Sequence, residues 1–388
     1  ALPSVLAQEL GPHAMQTPRT RRIFGNADFF DEAGVAPPVH PSGLGTRRRL
    51  QRARRSRSPL AVAAGVAVLA AVAAFVAFSG DRPAADTTPV SSPDMVRVGP
   101  GELLLGDTEA AARRSYTDCQ ASLGAACGER FESSVFAREV RPAGAAPVSI
   151  RGFYLDRTEV SLRVFVRWLN LENAKLHVEG VPPYERVIDA SAQPIVAVRS
   201  GSTKASAMLA IRYAERAFFV DDERYADNPV TLVSWHGARQ FCEAQGKRLP
   251  TEREWELAAR GSDGRRFPWG ELPPELCEEV VFGRSPGGVC ERGVRGAMPV
   301  GTSRGDVSAE GVRDLGGNVA EWTASPFEEP SAAGSPCGGD AGPCRAVRGG
   351  SYIDGPLLLR GSLRSRRGEN ELWPNVGFRC ARDGDIES

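Results

Sequence analysis

The chain has 388 residues, enough for one large domain with appendages or for two domains. Its apolar share of 41% and charged share of 25% are ordinary for a globular protein, and 48 basic residues offset 48 acidic ones. The offset is uneven: residues 1–57 hold ten Arg against four acids, so the remainder carries about −6, and a mildly acidic body excludes nucleic acid as a partner.

Taken in chain order, residues 1–57 lack apolar periodicity and read as a basic, disordered tail, with Met15 as a candidate start. Arg47, Arg48, Arg49, Arg52, Arg54, Arg55 and Arg57 crowd its end. An uncharged run rich in Ala, Val, Leu and Phe follows from Ser58 to Gly80. As a helix it would be roughly 34 Å long, enough for a hydrocarbon core of about 30 Å. The Arg flank then puts residues 1–57 in the cytoplasm and residues 81–388 outside, an expectation of a single-pass membrane protein with an extracytoplasmic C-terminal domain. A buried core helix would not need the basic flank. A cleaved signal peptide, for which Ala77-Phe78-Ser79 could serve as a site, would not carry so long an upstream region.

Residues 81–94 read as a flexible linker, and from Met95 the chain becomes Gly- and Pro-rich, which predicts many short strands and ordered loops around a few helices. Three helices have sequence signals. Ser161 caps a helix through Asn170 with Val164, Phe165, Trp168 and Leu169 as its apolar stripe. Ser234 caps a second through Gln245, ended by Gly246. Thr251 and Glu254 form a capping box for a third, which carries Trp255, Ala258 and Ala259 inward and stops at Gly261. Candidate strands are Gly152–Leu155, Thr231–Val233 and Arg345–Arg348. All eight cysteines lie after the apolar run, which fits disulfides in an oxidising compartment. Cys119 and Cys127, Cys277 and Cys290, and Cys337 and Cys344 are close in sequence, while Cys242 and Cys380 stand apart; spacing alone leaves the connectivity open.

The segment NPVTLVSWHGARQFCEAQGKRLPTEREWELAARG, 228–261, closely resembles the central signature of the sulfatase-modifying-factor (formylglycine-generating-enzyme) family. RLPTEREWELAARG is its most specific part. MVRVGPGELLLGD, FYLDRTEVSLRVFVRWLN, FPWG, PVGT, GVRDLGGNVAEWT, RGGSY and NVGFRCAR match in the family's order, so the resemblance spans residues 95–383. It implies an α+β, C-type-lectin-like fold with much irregular loop structure, here preceded by one transmembrane helix. It also implies a Cys242–Cys380 disulfide, which would contribute roughly 5 kcal/mol in the chain-entropy model.

In the family's enzymes two cysteines shortly after RGGS bind Cu(I) and activate oxygen to convert a sulfatase cysteine to formylglycine. Here Asp354 and Leu359 stand at those positions, and no cysteine lies between Ser351 and Cys380. A carboxylate and an aliphatic chain cannot supply the soft thiolate pair that Cu(I) needs, so copper is not expected and the catalytic set is none. Cys337 and Cys344 flank a Gly-rich insertion, CGGDAGPC, and read as a local loop disulfide rather than a relocated copper site. His13, His40, His177 and His236 show no ligand spacing for an iron module. The resemblance also implies calcium: Asn318 and Glu321 in GGNVAEW offer hard oxygen ligands for one site. At the second, Val281 stands where the family has Asn. Trp322, Ser351 and Asp354 match residues near the family's cleft. The expected function is therefore a membrane-anchored binding or scaffolding module without oxidase activity, whose partner is a peptide, glycan or envelope protein. The alternatives are altered chemistry at the same cleft with Asp354 as acid or base, or an oxidase of sulfatase cysteines.

Overall fold

The computed structural model describes residues 94–384 apart from 124–144, 182–183, 201–208, 275–276, 286–287, 291–295 and 328–336. The tail at 1–57, the apolar run at 58–80 and the Cys119–Cys127 pairing lie outside these residues or their described side chains. Among the described residues no helix is long and apolar enough to cross a membrane.

Among the described residues there are four α-helices: α1 (Glu109–Leu123), α2 (Leu162–Glu172), α3 (Trp235–Ala244) and α4 (Glu252–Arg260). They pack among short, mostly antiparallel sheets, so the fold class is α+β. A four-stranded sheet runs in the spatial order Arg364–Gly368, Cys344–Arg348, Ala320–Pro326, Val376–Gly377, with only the last pair parallel. A three-stranded sheet brings together Met95–Val98, Phe153–Asp156 and Ala381–Asp383, the middle strand of chain order lying centrally. Two hairpin systems, at 177–198 and 211–220, complete the framework with the pair Gly101–Leu103 and Val148–Ile150.

The three expected helices form with their caps. Ser234 Oγ accepts the Gly237 N–H at 3.0 Å, and Gly246 leaves α3 at φ 65°. Residue 237 must be Gly, because a Cβ there would lie 2.4 Å from the Ile195 carbonyl. The Thr251–Glu254 capping box opens α4 reciprocally. Ser161 occupies the cap position of α2 with extended backbone, yet makes no side-chain cap bond. Of the expected strands, Phe153–Asp156 and Cys344–Arg348 form within a residue of their predicted places. Thr231–Val233 does not. Leu232 adopts φ 52°, which breaks the extended run; its carbonyl accepts from Ala197 while its N–H donates to Trp373 O. α1 was not foreseen, because its apolar positions are sparse and its helicity rests on Ala propensity.

The larger core cluster packs α2 and α3 on the four-stranded sheet. Phe165, Trp168, Phe241 and Phe378 form an aromatic knot with ring centroids 5.0–6.0 Å apart. Beside it Cys242 and Cys380, both fully buried, are joined by a disulfide with Cα atoms 5.6 Å apart. Cys277–Cys290 and Cys337–Cys344 are also disulfide-bonded. A second cluster packs Trp255, Leu257 and Ala258 of α4 against Val98, Phe153 and Leu155.

A buried charge ladder joins α4 to the sheet. Glu252, Glu256 and Arg260 recur every four residues and so share one helix face. Glu256 receives Arg260 Nη1 at 2.7 Å and Arg348 Nη2 at 2.8 Å; Glu252 receives Arg348 Nη1 at 3.0 Å and Arg364 Nη2 at 2.8 Å. Burial opposes the ionised Glu252, but the Arg348 and Arg364 charges hold its carboxyl below the usual range. Glu256→Gln leaves two buried guanidiniums without the charge between them. It is expected to cost about 2 kcal/mol, read as a fall of several degrees in Tm; an unchanged Tm would show the ladder to be energetically idle.

Candidate functional site

The segment after Cys344–Arg348 turns sharply at Gly349 and Gly350. Added Cβ atoms there would meet the Leu315 carbonyl at 2.8 Å and the Leu358 carbonyl at 2.6 Å. This close backbone approach delivers Ser351 to the interior, where it is fully buried. Ser351 Oγ donates to Asp354 Oδ2 at 2.5 Å and accepts from Asn375 Nδ2 at 3.1 Å. Burial pushes the Asp354 carboxyl up, against the lowering by the Ser351 bonds. Burial also raises the neighbouring Tyr352 phenol to about 12, with the Asp354 charge adding to it.

Asp354 and Leu359, the two positions at which the resemblance implies cysteines in active relatives, are both committed to packing. Asp354 is tied to Ser351, and its carbonyl accepts the Gly283 N–H. Leu359 is fully buried in an apolar cluster with Phe267, Val280, Phe282 and Cys290. This donor set does not fit Cu(I). Trp322, a cleft candidate, does not join Ser351: its ring is fully buried in the larger core and its Nε1 donates to the Val233 carbonyl at 3.0 Å. His236 sits at the start of α3 with Nε2 3.1 Å from Asn370 Oδ1, and burial lowers its pKa.

Asn318 and Glu321, the pair to which the resemblance assigns calcium, both hydrogen-bond protein groups. Both Glu321 oxygens are taken by the Arg379 guanidinium at 2.7–2.9 Å, and Oε2 also accepts from Trp255 Nε1. Asn318, at φ 65°, accepts the Met298 N–H with its side-chain oxygen and donates to Glu159 Oε1 at 3.0 Å. A cation brought to Glu321 would meet a fixed guanidinium, and the acidic oxygens a hard cation requires are already occupied. Among the described residues, no group of three or more His, Cys, Asp or Glu is arranged to hold a metal. Millimolar calcium and its removal by chelator are expected to shift Tm by less than about 1 °C; saturating a native site would add about 3 kcal/mol and several degrees.

What the structure builds here instead is a buried carboxyl cluster around one cation. Arg379, fully buried, bonds Glu321 and the carbonyls of Asp156, Arg157, Arg313 and Asp314. Burial opposes its charge, yet Glu321, Glu159 and Asp314 hold the guanidinium firmly protonated. Burial pushes Glu159 well up, and the Asp314 charge pushes it further. Asp314, also raised by burial, lies within hydrogen-bonding reach of Glu159. Glu159 Oε2 and Asp314 Oδ1 have no hydrogen-bond partner among the described residues. Asp306 accepts the Gly316 and Gly317 N–H groups at 2.8–3.1 Å and is raised to about 7 by burial and then by the Asp314 charge. Charges inside otherwise apolar motifs, such as Arg379 in VGFRCA and Asp314 in VRDLGGN, were the available signal for this cluster.

The Asp306 shift has a definite sign. Its folded pKa lies above its unfolded value near 4, so its contribution to stability is full below about pH 4 and is lost as pH rises to about 7. Asp306→Asn is expected to match the parent near pH 4 and to lose less stability by pH 7.5, by a few kcal/mol at most, in urea midpoints taken across that range. Parallel curves for the two proteins would place the titration elsewhere.

Residues 81–384 match the family model described as the sulfatase-modifying factor enzyme 1-like domain. The chain is 38% identical over 160 residues to the inactive C-alpha-formylglycine-generating enzyme 2 of Bos taurus, covering 39% of this chain and 50% of that protein. It is 38% identical over 175 residues to the formylglycine-generating enzyme of Streptomyces coelicolor, covering 42% and 55%. It is also 30% identical over 243 residues to the serine/threonine-protein kinase Pkn1 of Chlamydia trachomatis, covering 61% and 34%. The chain thus spans about half the length of the two formylglycine-generating-enzyme relatives. With its signature segment folded as the capped helix α4, its RGGSY turn built on close glycine contacts and its family model covering most of the length, this chain belongs to the sulfatase-modifying factor enzyme 1-like domain family.

Proposed function

We propose that this domain is a non-catalytic member of its family that acts as a binding or scaffolding module. The observation that carries the reading is the fate of the two cysteine positions: Asp354 hydrogen-bonds Ser351, and Leu359 fills an apolar cluster. Packing and a buried carboxyl stand where a soft-metal dithiolate site would need two thiolates. The similarity to a relative named as inactive supports the same reading. The run at 58–80 would anchor the domain in a membrane with residues 81–388 extracytoplasmic, a placement supported by its length, its Arg flank and the disulfide-bonded cysteines. The partial match to a protein kinase supports a domain of this kind serving as a module attached to others. Its partner would be an extracytoplasmic peptide, glycan or envelope protein.

The test is a Cu(I) titration of the full chain with oxygen uptake measured on a peptide carrying Cys-x-Pro-x-Arg. The expected result is neither stoichiometric Cu(I) binding nor oxygen consumption. Aldehyde formation on the peptide would overturn the reading and make Cys337 and Cys344 the first residues to replace.

A further inference from the structure

His236 lies in the first turn of α3 and is 4% exposed. Its Nε2 stands 3.1 Å from Asn370 Oδ1, and Asn370 Nδ2 donates to the Asp340 carbonyl at 3.1 Å. That second bond fixes Asn370 Oδ1 as an acceptor, so Nε2 carries the imidazole proton and Nδ1 keeps its lone pair. Nδ1 is buried and has no hydrogen-bond partner among the described residues. A neutral imidazole tolerates this arrangement. A second proton would have to sit on Nδ1, where no acceptor stands, and at a helix N-terminus, which disfavours positive charge.

What His236 reaches through Asn370 is the Gly-rich loop closed by Cys337–Cys344. The loop lies on residues 368–371. The Asn370 N–H donates to the Ala341 carbonyl and the Glu369 N–H to the Pro343 carbonyl, each at 3.0 Å. The approach is close: a Cβ on Gly368 would collide with the Ala341 carbonyl, and one on Gly342 would come 2.8 Å from Glu369 Cγ. On its outer side, Gly338, Gly339 and Asp340 are exposed. The 368–371 seat has anchors of its own. The Trp235 N–H donates to the Glu369 carbonyl at 3.2 Å, and the Gly368 N–H to Glu371 Oε2 at 2.8 Å. A disturbance at the His236–Asn370 contact therefore falls on the loop before it falls on the seat.

We propose that His236, Asn370 and the Cys337–Cys344 loop form an acid-sensitive latch: the neutral imidazole keeps the loop seated on residues 368–371, and uptake of a proton by His236 unseats it. This goes beyond the binding-module reading and does not depend on it. Three charged groups face the imidazole. Glu369 Oε1 is 3.6 Å from Nε2, Arg239 lies on the same helix, and Asp189 follows the strand Tyr184–Ile188. Glu369 and Asp189 favour the imidazolium, and Arg239 opposes it. Glu369 is already engaged, because its Oε2 is held by Arg345 Nε and Nη2, both at 3.1 Å. Burial is the largest influence and holds the imidazole pKa below its ordinary 6.5. A folded pKa below the unfolded one means that the seated loop is fully stable above about pH 6.5 and loses stability as pH falls beneath it.

The test is amide hydrogen exchange on the full chain at pH 7.5 and pH 5.0, corrected for intrinsic exchange rates. The Glu369 and Asn370 N–H groups donate to the loop and so report its seating. Their protection is expected to fall about tenfold at the lower pH, with a ceiling of about thirtyfold set by a free histidine near 6.5. Amides of the central strand Ala320–Pro326 should stay protected. His236→Gln keeps a donor toward Asn370 Oδ1 and cannot titrate, so its protection should be the same at both pH values. In the parent, the His236 Cε1–H resonance should titrate with a midpoint below about 6.5, a reading that needs no variant. Unchanged protection in the parent, an equal loss in His236→Gln, or a midpoint at or above that value would overturn the latch.

Discussion

Arg379→Met is expected to be the most damaging single substitution in the domain. The guanidinium is fully buried and is the cation on which Glu321, Glu159 and Asp314 depend. Met matches much of its volume, so packing loss is not the main term. The loss is that Glu321 stays buried without its ion-pair partner, and four backbone carbonyls lose a donor. Removing one partner of a buried pair typically costs 3–5 kcal/mol, and stripping the carbonyls adds to it. That is on the order of 10 °C or more in Tm for a domain of this size. The defect should also depend on pH in a direction set by the cluster. Without the guanidinium, which lowers both, the folded-state pKa values of Glu159 and Asp314 rise further above their unfolded values. Their stability contribution is then full at low pH and is lost as pH rises, so the variant should recover part of its deficit near pH 5. Thermal unfolding of parent and variant at pH 5 and pH 7.5 reads this directly. A deficit equal at both values would mean that charge is not what Arg379 supplies.

The second large effect concerns the Cys242–Cys380 bridge. It ties α3 to the strand that closes the domain across 138 residues of sequence. In the chain-entropy model a loop of this length is worth roughly 5 kcal/mol, and native disulfides typically cost 2–5 kcal/mol when removed. Both sulfurs are buried in the aromatic knot, so Cys242→Ala with Cys380→Ala also leaves a small cavity. The double variant is expected to lose on the order of 10 °C in Tm, and reductant should lower the parent's Tm but not the variant's. The two local bridges close far shorter loops, with separations of 13 and 7, and each should matter less. A double variant as stable as the parent would show that the aromatic knot alone holds these two elements together.

Much of the scaffold was legible in the order of residues because its signals are local. The capping box at Thr251 and Glu254, the Ser234 cap and the Gly stops need only a few consecutive positions to be read. What was missed is nonlocal or weakly patterned. α1 lacks an apolar stripe. Thr231–Val233 has the composition of a strand, but Leu232 is forced to a positive φ by contacts with Ala197 and Trp373, distant in sequence. The site divided along the same line. The resemblance located Ser351, Asp354 and Leu359, and the structure gave two of them a hydrogen bond and the third an apolar socket. It also placed Asn318 and Glu321, but their real partners, Glu159 and Arg379, lie 159 and 58 residues away. No short window could show that Glu321 answers a guanidinium.

The three-stranded sheet has a mechanical consequence. Met95–Val98, where the domain begins, and Ala381–Asp383, where it ends, flank the same central strand, Phe153–Asp156. Both ends of the domain therefore leave from one sheet. Tension arriving from the N-terminal side would load the hydrogen bonds between Met95–Val98 and Phe153–Asp156 along the strand direction. Because both flanking strands run antiparallel to the central one, they are parallel to each other: the chain enters at the Asp156 end of that strand and leaves at its Phe153 end, so a pull on both termini would shear this sheet from opposite ends rather than peel it open.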